Sequence, residues 1–388
     1  LMSQSDFVRR MNQGNSAFVD TRNKWNRLHL DLPMLLILLA LAITGLVALY
    51  SASGQNLNLV NSQFIRFGMG FILLLTIAQV SPRFFQRWAF IPYSGGVLLL
   101  LAIPFLGIER NGAQRWLDLG IQFQPSEVLK VAIPLLLASY ISRRDYPPNI
   151  KTVFFSLLLV AIPVALIGIQ PDLGTAILVG AAGFSVLFLG GLPRIYLIIS
   201  SCSLAVVTPL MWFYGLHGYQ RQRIITLFDP ESDKFGAGWN IIQSTIAIGS
   251  GGLGGKGWGH GTQSQLDFLP ESHTDFIIAV FAEEFGLFGV LGLMALYAAL
   301  IVRCLLISIR SQTIFGRLFA GSYTFLFFLY IFVNLGMVSG ILPVVGVPLP
   351  FMSFGGTSVV TLMCGFGILM AISTEQNFKE RRRSGNFN

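Results

Sequence analysis

GSGGLGGKGWGHGTQSQLDFLPESHTDFIIAVFAEEFGLFGVLGLMALYAALIV, residues 249–302, is the stretch whose reading decides the fold. Its second half, 275–302, is an apolar run longer than the roughly 20 residues that carry a helix across a bilayer. Its first half is a glycine-rich loop and a polar segment, and Asp275 stands where the two meet. A polar loop opening onto a spanning helix places a carboxylate at the edge between water and lipid. The rest of the chain repeats the apolar pattern.

The 388 residues are 53% hydrophobic and only 11% charged, with a mean hydropathy of +0.67. A soluble domain carries roughly 25% charged residues, so this chain cannot cover itself with polar surface. An all-α integral membrane protein is expected, and a soluble multidomain enzyme is excluded. Nucleic acid is not an expected partner despite the net charge of +8. The basic residues sit between apolar runs, as membrane anchors do. Cys202, Cys304 and Cys364 lie within apolar runs without metal or disulfide spacing, and read as small packing residues.

Ten spans are expected, at 31–51, 62–80, 90–107, 126–142, 152–170, 172–191, 193–214, 275–302, 316–338 and 355–374. Breakers at Gln170-Pro171-Asp172 and Gly190-Gly191-Leu192-Pro193 divide the longest apolar stretch. Of the 26 basic residues, 18 fall in the termini and one set of connections, and 8 on the other side. The positive-inside rule therefore puts both termini in the cytoplasm. The domain plan is a cytoplasmic tail over 1–30, one membrane domain over 31–374 and a basic cytoplasmic tail over 375–388. Loop 215–274, between spans seven and eight, is the large extracytoplasmic loop, and 108–124, 170–172 and 339–354 face the same way. No cleavable signal is expected. The first span reads as an uncleaved anchor, and Leu1 ahead of Met2 as a cloning remnant.

Chemistry is therefore expected outside, where no soluble nucleotide pool exists. A bond-forming enzyme there needs a donor activated before it crossed the membrane, such as a lipid-linked diphosphate sugar. Glu127 and Lys130 share a helix face at three-residue spacing. They are either a structural pair at a helix start or the charged wall of a substrate cavity. Asp172 is either a helix cap or part of the same wall. Tyr219-Gln220-Arg221-Gln222-Arg223 supplies two cations, and residues 239–248 read as an interfacial helix. Eight of the thirteen residues 249–261 are glycine. The run contains G-x-G-x-x-G but lacks the strand–turn–helix setting of a dinucleotide site, and Gly257 follows Lys256 where a Walker loop requires Ser or Thr. It reads as a flexible loop or as backbone that approaches a phosphate or sugar closely. Asp275 is either a plain helix cap or a general base for a sugar hydroxyl. Glu283 and Glu284, deeper in the span, are expected to face other helices.

GAQRWLDLG…FQPSEVLK, QPDLGT, YQRQR…DPESD, GWGHGTQSQLDFLPESHTDF and PLPFMSFGG together resemble the shape, elongation, division and sporulation (SEDS) family, over about 30–374. The wording GTQSQLDFLPE is similar to the RodA-type elongation branch rather than the FtsW-type division branch. The resemblance implies a peptidoglycan glycosyltransferase that polymerises lipid II in the bacterial cytoplasmic membrane, with ten spans and both termini inside. It implies a class B penicillin-binding transpeptidase as partner, beside other elongation-machinery membrane proteins. By motif, Asp275 matches the family's essential aspartate, Glu127 and Lys130 its polar pair in the fourth span, and Asp172 its aspartate after the proline. Arg115, Lys256, His273, Thr274 and Ser353 lie in the same motifs and are candidates for substrate binding.

The mechanism expected has Asp275 deprotonating the acceptor's 4-hydroxyl, with inversion at C1 of the donor. Lys130, Arg221, Arg223 and a divalent cation (Mg or Mn) held with the substrate diphosphate stabilise the leaving charge. The competing expectation is a transporter that flips the same lipid. A scaffold for the transpeptidase is the third.

Overall fold

The computed structural model describes residues 30–384 apart from 111–112, 119–121, 145–146, 216–217, 234–235, 266–268 and 270. The N-terminal tail before residue 30, the last four residues, Lys234 and the centre of QLDFLP lie outside the described residues.

The body is a helical bundle, as composition requires. Its helices are α1 Leu32–Ala52, α2 Leu57–Ala78, α3 Pro82–Trp88, α4 Phe90–Leu106, α5 Pro125–Ser142, α6 Ile150–Ile169, α7 Leu173–Leu189, α8 Arg194–Leu210, α9 Gly218–Phe228, α10 Ala237–Gly251, α11 Thr262–Gln265, α12 Ile277–Arg310, α13 Ile314–Val338 and α14 Thr357–Ser384. Among the described residues eight helices are long and apolar enough to cross a membrane, and nine if α3 and α4, bent by 46°, form one span. The remaining expected span, the sixth at 172–191, corresponds to α7, apolar but 17 residues long. At 1.5 Å per residue α7 reaches about 25 Å, short of a 30 Å hydrocarbon core. The chain is a multi-pass membrane protein.

Starts and stops follow local chemistry. Asp31, Asn149, Asp172 and Thr313 each cap a helix by accepting a first-turn N–H. Proline opens α1, α3 and α5, where its missing N–H costs nothing. Among the described residues the expected all-α body has one β departure. The 108–124 loop folds as a three-stranded antiparallel sheet, β1 Gly107–Arg110, β2 Ala113–Asp118 and β3 Gln122–Phe123.

The core is aromatic. Tyr297, Tyr323, Tyr330, Phe319, Phe327, Phe351 and Phe366 are all buried where α12, α13 and α14 meet. Each tyrosine hydroxyl has an acceptor. Tyr297 donates to the Pro350 carbonyl at 2.5 Å, Tyr323 to that of Leu362 at 2.7 Å and Tyr330 to Glu127 Oε2 at 3.0 Å. Without water such groups must be satisfied internally. At one end of the bundle Arg303 grips Asp31, Nη2 to Oδ2 at 2.7 Å, and Ser373 donates to the same oxygen at 2.8 Å. This ties the start of α1 to the late turns of α12 and α14. The long loops gather at the other end.

The glycine-rich loop has a use the sequence did not suggest. Gly286 takes φ 64° and ψ −164°, which breaks α12. The loop backbone fills the gap. Lys256 N and Gly257 N donate to the Glu283 and Glu284 carbonyls, both at 3.0 Å, and Leu287 N and Phe288 N donate to Gly252 O and Leu253 O at 3.0 and 3.2 Å. A Cβ on Gly255 would lie 2.1 Å from Glu284 O. At Gly255 and Gly286 the missing side chain lets backbone approach backbone.

Candidate active site

At the loop-bearing end a cavity of about 1020 Å³ opens among the starts of α5, α7 and α14, the approach to α12 and the 344–348 segment that follows α13. Helix starts carry unpaired N–H groups and the positive end of the macrodipole. Several of them aimed into one cavity make it favourable to an anion.

The walls are charged pairs. On α5, Lys130 Nζ lies 2.7 Å from Glu127 Oε1, with both side chains buried. Tyr330 on α13 donates to the other Glu127 oxygen, and its ring lies 4.8 Å from Lys130 Nζ. Thr175 N donates to Asp172 Oδ1 at 3.2 Å, so Asp172 does cap α7. Its other oxygen accepts from Gln124 Nε2 at 3.2 Å and faces Arg115 Nη1 at 3.9 Å. Arg115 also donates to the Pro171 carbonyl at 2.7 Å. Cap and cavity wall, open alternatives in the sequence, are one and the same carboxylate.

Asp275 sits two residues ahead of α12, outside the spanning helix, with its side chain only partly exposed. No side-chain cap bond marks the start of α12, so Asp275 is not its cap. Its backbone carbonyl accepts from Asn334 Nδ2 at 2.9 Å, and the same amide donates to Val347 O at 2.8 Å. Asn334 thereby fixes both Asp275 and the 344–348 segment across the cavity. Gly346, with φ 74°, comes so near that a Cβ there would lie 3.5 Å from Asp275 Oδ2. Burial pushes the Asp275 carboxyl up to about 6, Glu271 adds to the rise and Arg223 opposes it. A carboxylate so tuned is charged at neutral pH yet basic enough to take a proton.

The candidates from sequence divide into two groups. Asp275, Glu127, Lys130, Asp172, Arg115, Arg223 and Thr274 line the cavity. Four others are engaged elsewhere. Lys256 Nζ pairs with Glu283 Oε1 at 2.6 Å, and Thr262 donates to that oxygen at 2.9 Å. Glu283 thus faces neighbouring helices, as expected, with Ser250 of α10 donating to it at 3.4 Å and Thr262 standing at the start of α11, and it also clasps the loop through Lys256. Arg221 donates to the Phe213 carbonyl at 2.9 Å. Ser353 Oγ accepts from Leu349 N at 2.8 Å, a turn-closing contact. His273 accepts from Phe354 N through its carbonyl at 2.9 Å and lays its ring 6.2 Å from that of Phe354.

Arg66, Gln124, Tyr330 and Asn334 belong to the site or its frame and were not singled out from sequence. Arg66 carried a signal, a charge inside an apolar span. So did Tyr330 and Asn334, polar groups four apart on one face of α13.

The model of the FtsW, RodA and SpoVE family, described as cell cycle protein, matches residues 32–378. The chain belongs to the FtsW/RodA/SpoVE family. Within the family it is 52% identical over 361 residues to the peptidoglycan glycosyltransferase MrdB of Escherichia coli K12, spanning 92% of this chain and 98% of that one. It is 36% identical to the MrdB of Helicobacter pylori over 88% of this chain and 89% of the relative. It is 35% identical to a probable FtsW of Geobacter metallireducens, over 89% and 94%. The gap between the first and last values puts the chain on the RodA side. Among solved structures, a chain described under structural coordination of polymerization and crosslinking by a peptidoglycan synthase complex superposes with a TM-score of 0.78 at 33% identity, covering 89% of this chain and 98% of that one. The rod shape determining protein RodA of Thermus thermophilus does so with a TM-score of 0.68 at 29% identity, covering 89% and 97%.

Proposed function

We propose that the chain is a peptidoglycan glycosyltransferase that polymerises lipid II into glycan strands at the outer face of the cytoplasmic membrane during cell elongation. The observation that carries this reading is the cavity itself. It joins a partly buried carboxylate poised near 6 to a charged, helix-start-lined chamber suited to a diphosphate. Relatives named as peptidoglycan glycosyltransferases, similar over nearly their whole length, support it.

In this reading the chain has ten spans with both termini cytoplasmic, α7 being the shortest span. Asp275 is the general base. It takes the proton of the acceptor 4-hydroxyl as that oxygen attacks C1 of the donor sugar. The C1–O bond to the diphosphate breaks, its electron pair leaves with the phosphate oxygen, and the anomeric centre inverts from α to β. Glu127 orients Lys130, and Asp172 orients Arg115. Lys130, Arg115 and Arg223 stabilise negative charge, and Thr274 offers a hydroxyl beside Asp275. A divalent cation, Mg or Mn, would enter with the substrate's own phosphates. The partner is a class B penicillin-binding transpeptidase, in keeping with a similar chain described within a peptidoglycan synthase complex. Other elongation-machinery membrane proteins join them.

The test is direct. Purified chain with its transpeptidase partner is given lipid II in proteoliposomes, and both glycan strands and movement of lipid II between leaflets are measured. Strand formation is expected. Leaflet transfer without strands would replace the polymerase by a transporter.

A further inference from the structure

Among the described residues four cations line the cavity, and three of them are engaged by protein oxygens. Lys130 is held by Glu127, Arg115 by Asp172 and two carbonyls, and Arg223 donates to Val344 O at 3.0 Å. The fourth is Arg66, ten residues into the apolar helix α2. A guanidinium at that position is costly unless something receives it. Yet its Nη1 is buried and has no hydrogen-bond partner among the described residues. The guanidinium faces an aromatic ring instead. Its Cζ lies 4.4 Å from the centre of the Phe354 ring. Gln63, buried one turn earlier, fixes the neighbouring backbone, donating to Ser353 O and accepting from Gly355 N, both at 3.4 Å. Phe354 N in turn donates to His273 O, two residues from Asp275. The guanidinium is thus mounted on the same frame as the carboxylate, with donors left open.

We propose that Arg66 binds the diphosphate of the lipid-linked donor and takes up the charge of the leaving group as the C1–O bond breaks. A planar guanidinium offers two parallel donors to two phosphate oxygens, a match that a lysine cannot make. Its place on a membrane helix suits a ligand whose phosphates are attached to a lipid tail. Lys130 and Arg115, already paired, then act as walls that set the field rather than as the primary phosphate grip. The inference rests on the glycosyltransferase reading for the identity of the donor.

The experiment uses the full chain with its partner in nanodiscs. Binding of undecaprenyl diphosphate and of undecaprenol is measured for wild type, Arg66→Met and Arg66→Lys, beside lipid II polymerisation. Removing a charged hydrogen-bonding partner is expected to weaken diphosphate binding about 10- to 100-fold. Undecaprenol binding is expected to stay within twofold, with Arg66→Lys intermediate and strand synthesis falling in the same order. Equal diphosphate affinity in wild type and Arg66→Met would overturn the proposal. So would an equal loss of both lipids, which marks a merely structural residue. Should Arg66→Met fail to fold, the lysine variant decides: unchanged diphosphate affinity and turnover overturn the proposal. Wild type that binds the diphosphate through Arg66 but makes no strands would leave the anion site standing and sink the glycosyltransferase reading.

Discussion

The chemistry turns on how a few side chains are partnered. Asp275 is held up to about 6 chiefly by burial, so its proton-accepting form is present above that pH and is lost as pH falls through it. For a group acting as base, kcat/KM for lipid II is expected to rise about tenfold per unit below pH 6 and to level off above. A flat profile between pH 5 and 7 would show that another group takes the proton. Glu127 and Lys130 are buried together, so removing one leaves the other charged and alone. Glu127→Gln is expected to cost about 3–5 kcal/mol of stability, read from thermal or denaturant unfolding. The double variant Glu127→Gln/Lys130→Met is expected to recover most of that stability and none of the activity. Recovery of activity would show that the pair is only structural.

At the scale of elements, the break in α12 and the loop that fills it form one unit. Gly286 has a left-handed backbone, and a Cβ there would lie 2.3 Å from Gly255 N. Gly286→Ala is expected to expel the 252–261 loop, seen as lost hydrogen-exchange protection at Lys256, Gly257 and Leu287. Retained protection would mean that the loop is held by the Lys256–Glu283 clasp alone. This unit also marks how far the sequence could be read. Apolar runs, caps and prolines announced the helices, because helix boundaries are written in neighbouring residues. The use of the glycines was not legible. Their partner is a helix break some thirty residues on, and no local pattern announces a backbone-to-backbone contact at that distance. The same limit explains Lys256, which read as a ligand cation until Glu283 was placed beside it. Arg66 is the opposite case: its signal is local, a charge inside an apolar span, where lipid or protein must receive it.

On the scale of the whole molecule the two ends differ in character. One end carries the Asp31–Arg303–Ser373 clasp, and the other holds the cavity. Arg303→Met strands the buried Asp31 and is expected to lower stability by about 3 kcal/mol or more. Polymerisation per folded molecule is expected to change less than twofold, measured on material sorted by size-exclusion chromatography. A large loss of turnover in folded protein would show that the clasped end communicates with the site. The membrane body was legible from hydropathy and charge alone, and so was the gathering of the candidate residues toward one end of the spans. The pairing within the site was not, since it joins α2, α5, α7, α13 and the approach to α12, far apart along the chain.

The most direct measurement is lipid II polymerisation by Asp275→Asn beside wild type, both purified with the transpeptidase partner. Asparagine keeps the shape and the Asn334 contact to the backbone but cannot accept the proton. The expected result is a folded, partner-bound variant whose strand synthesis falls by about 10²–10⁴-fold. Strand synthesis at the wild-type rate would contradict the assignment of Asp275 as base and send the search to Glu127 and Asp172.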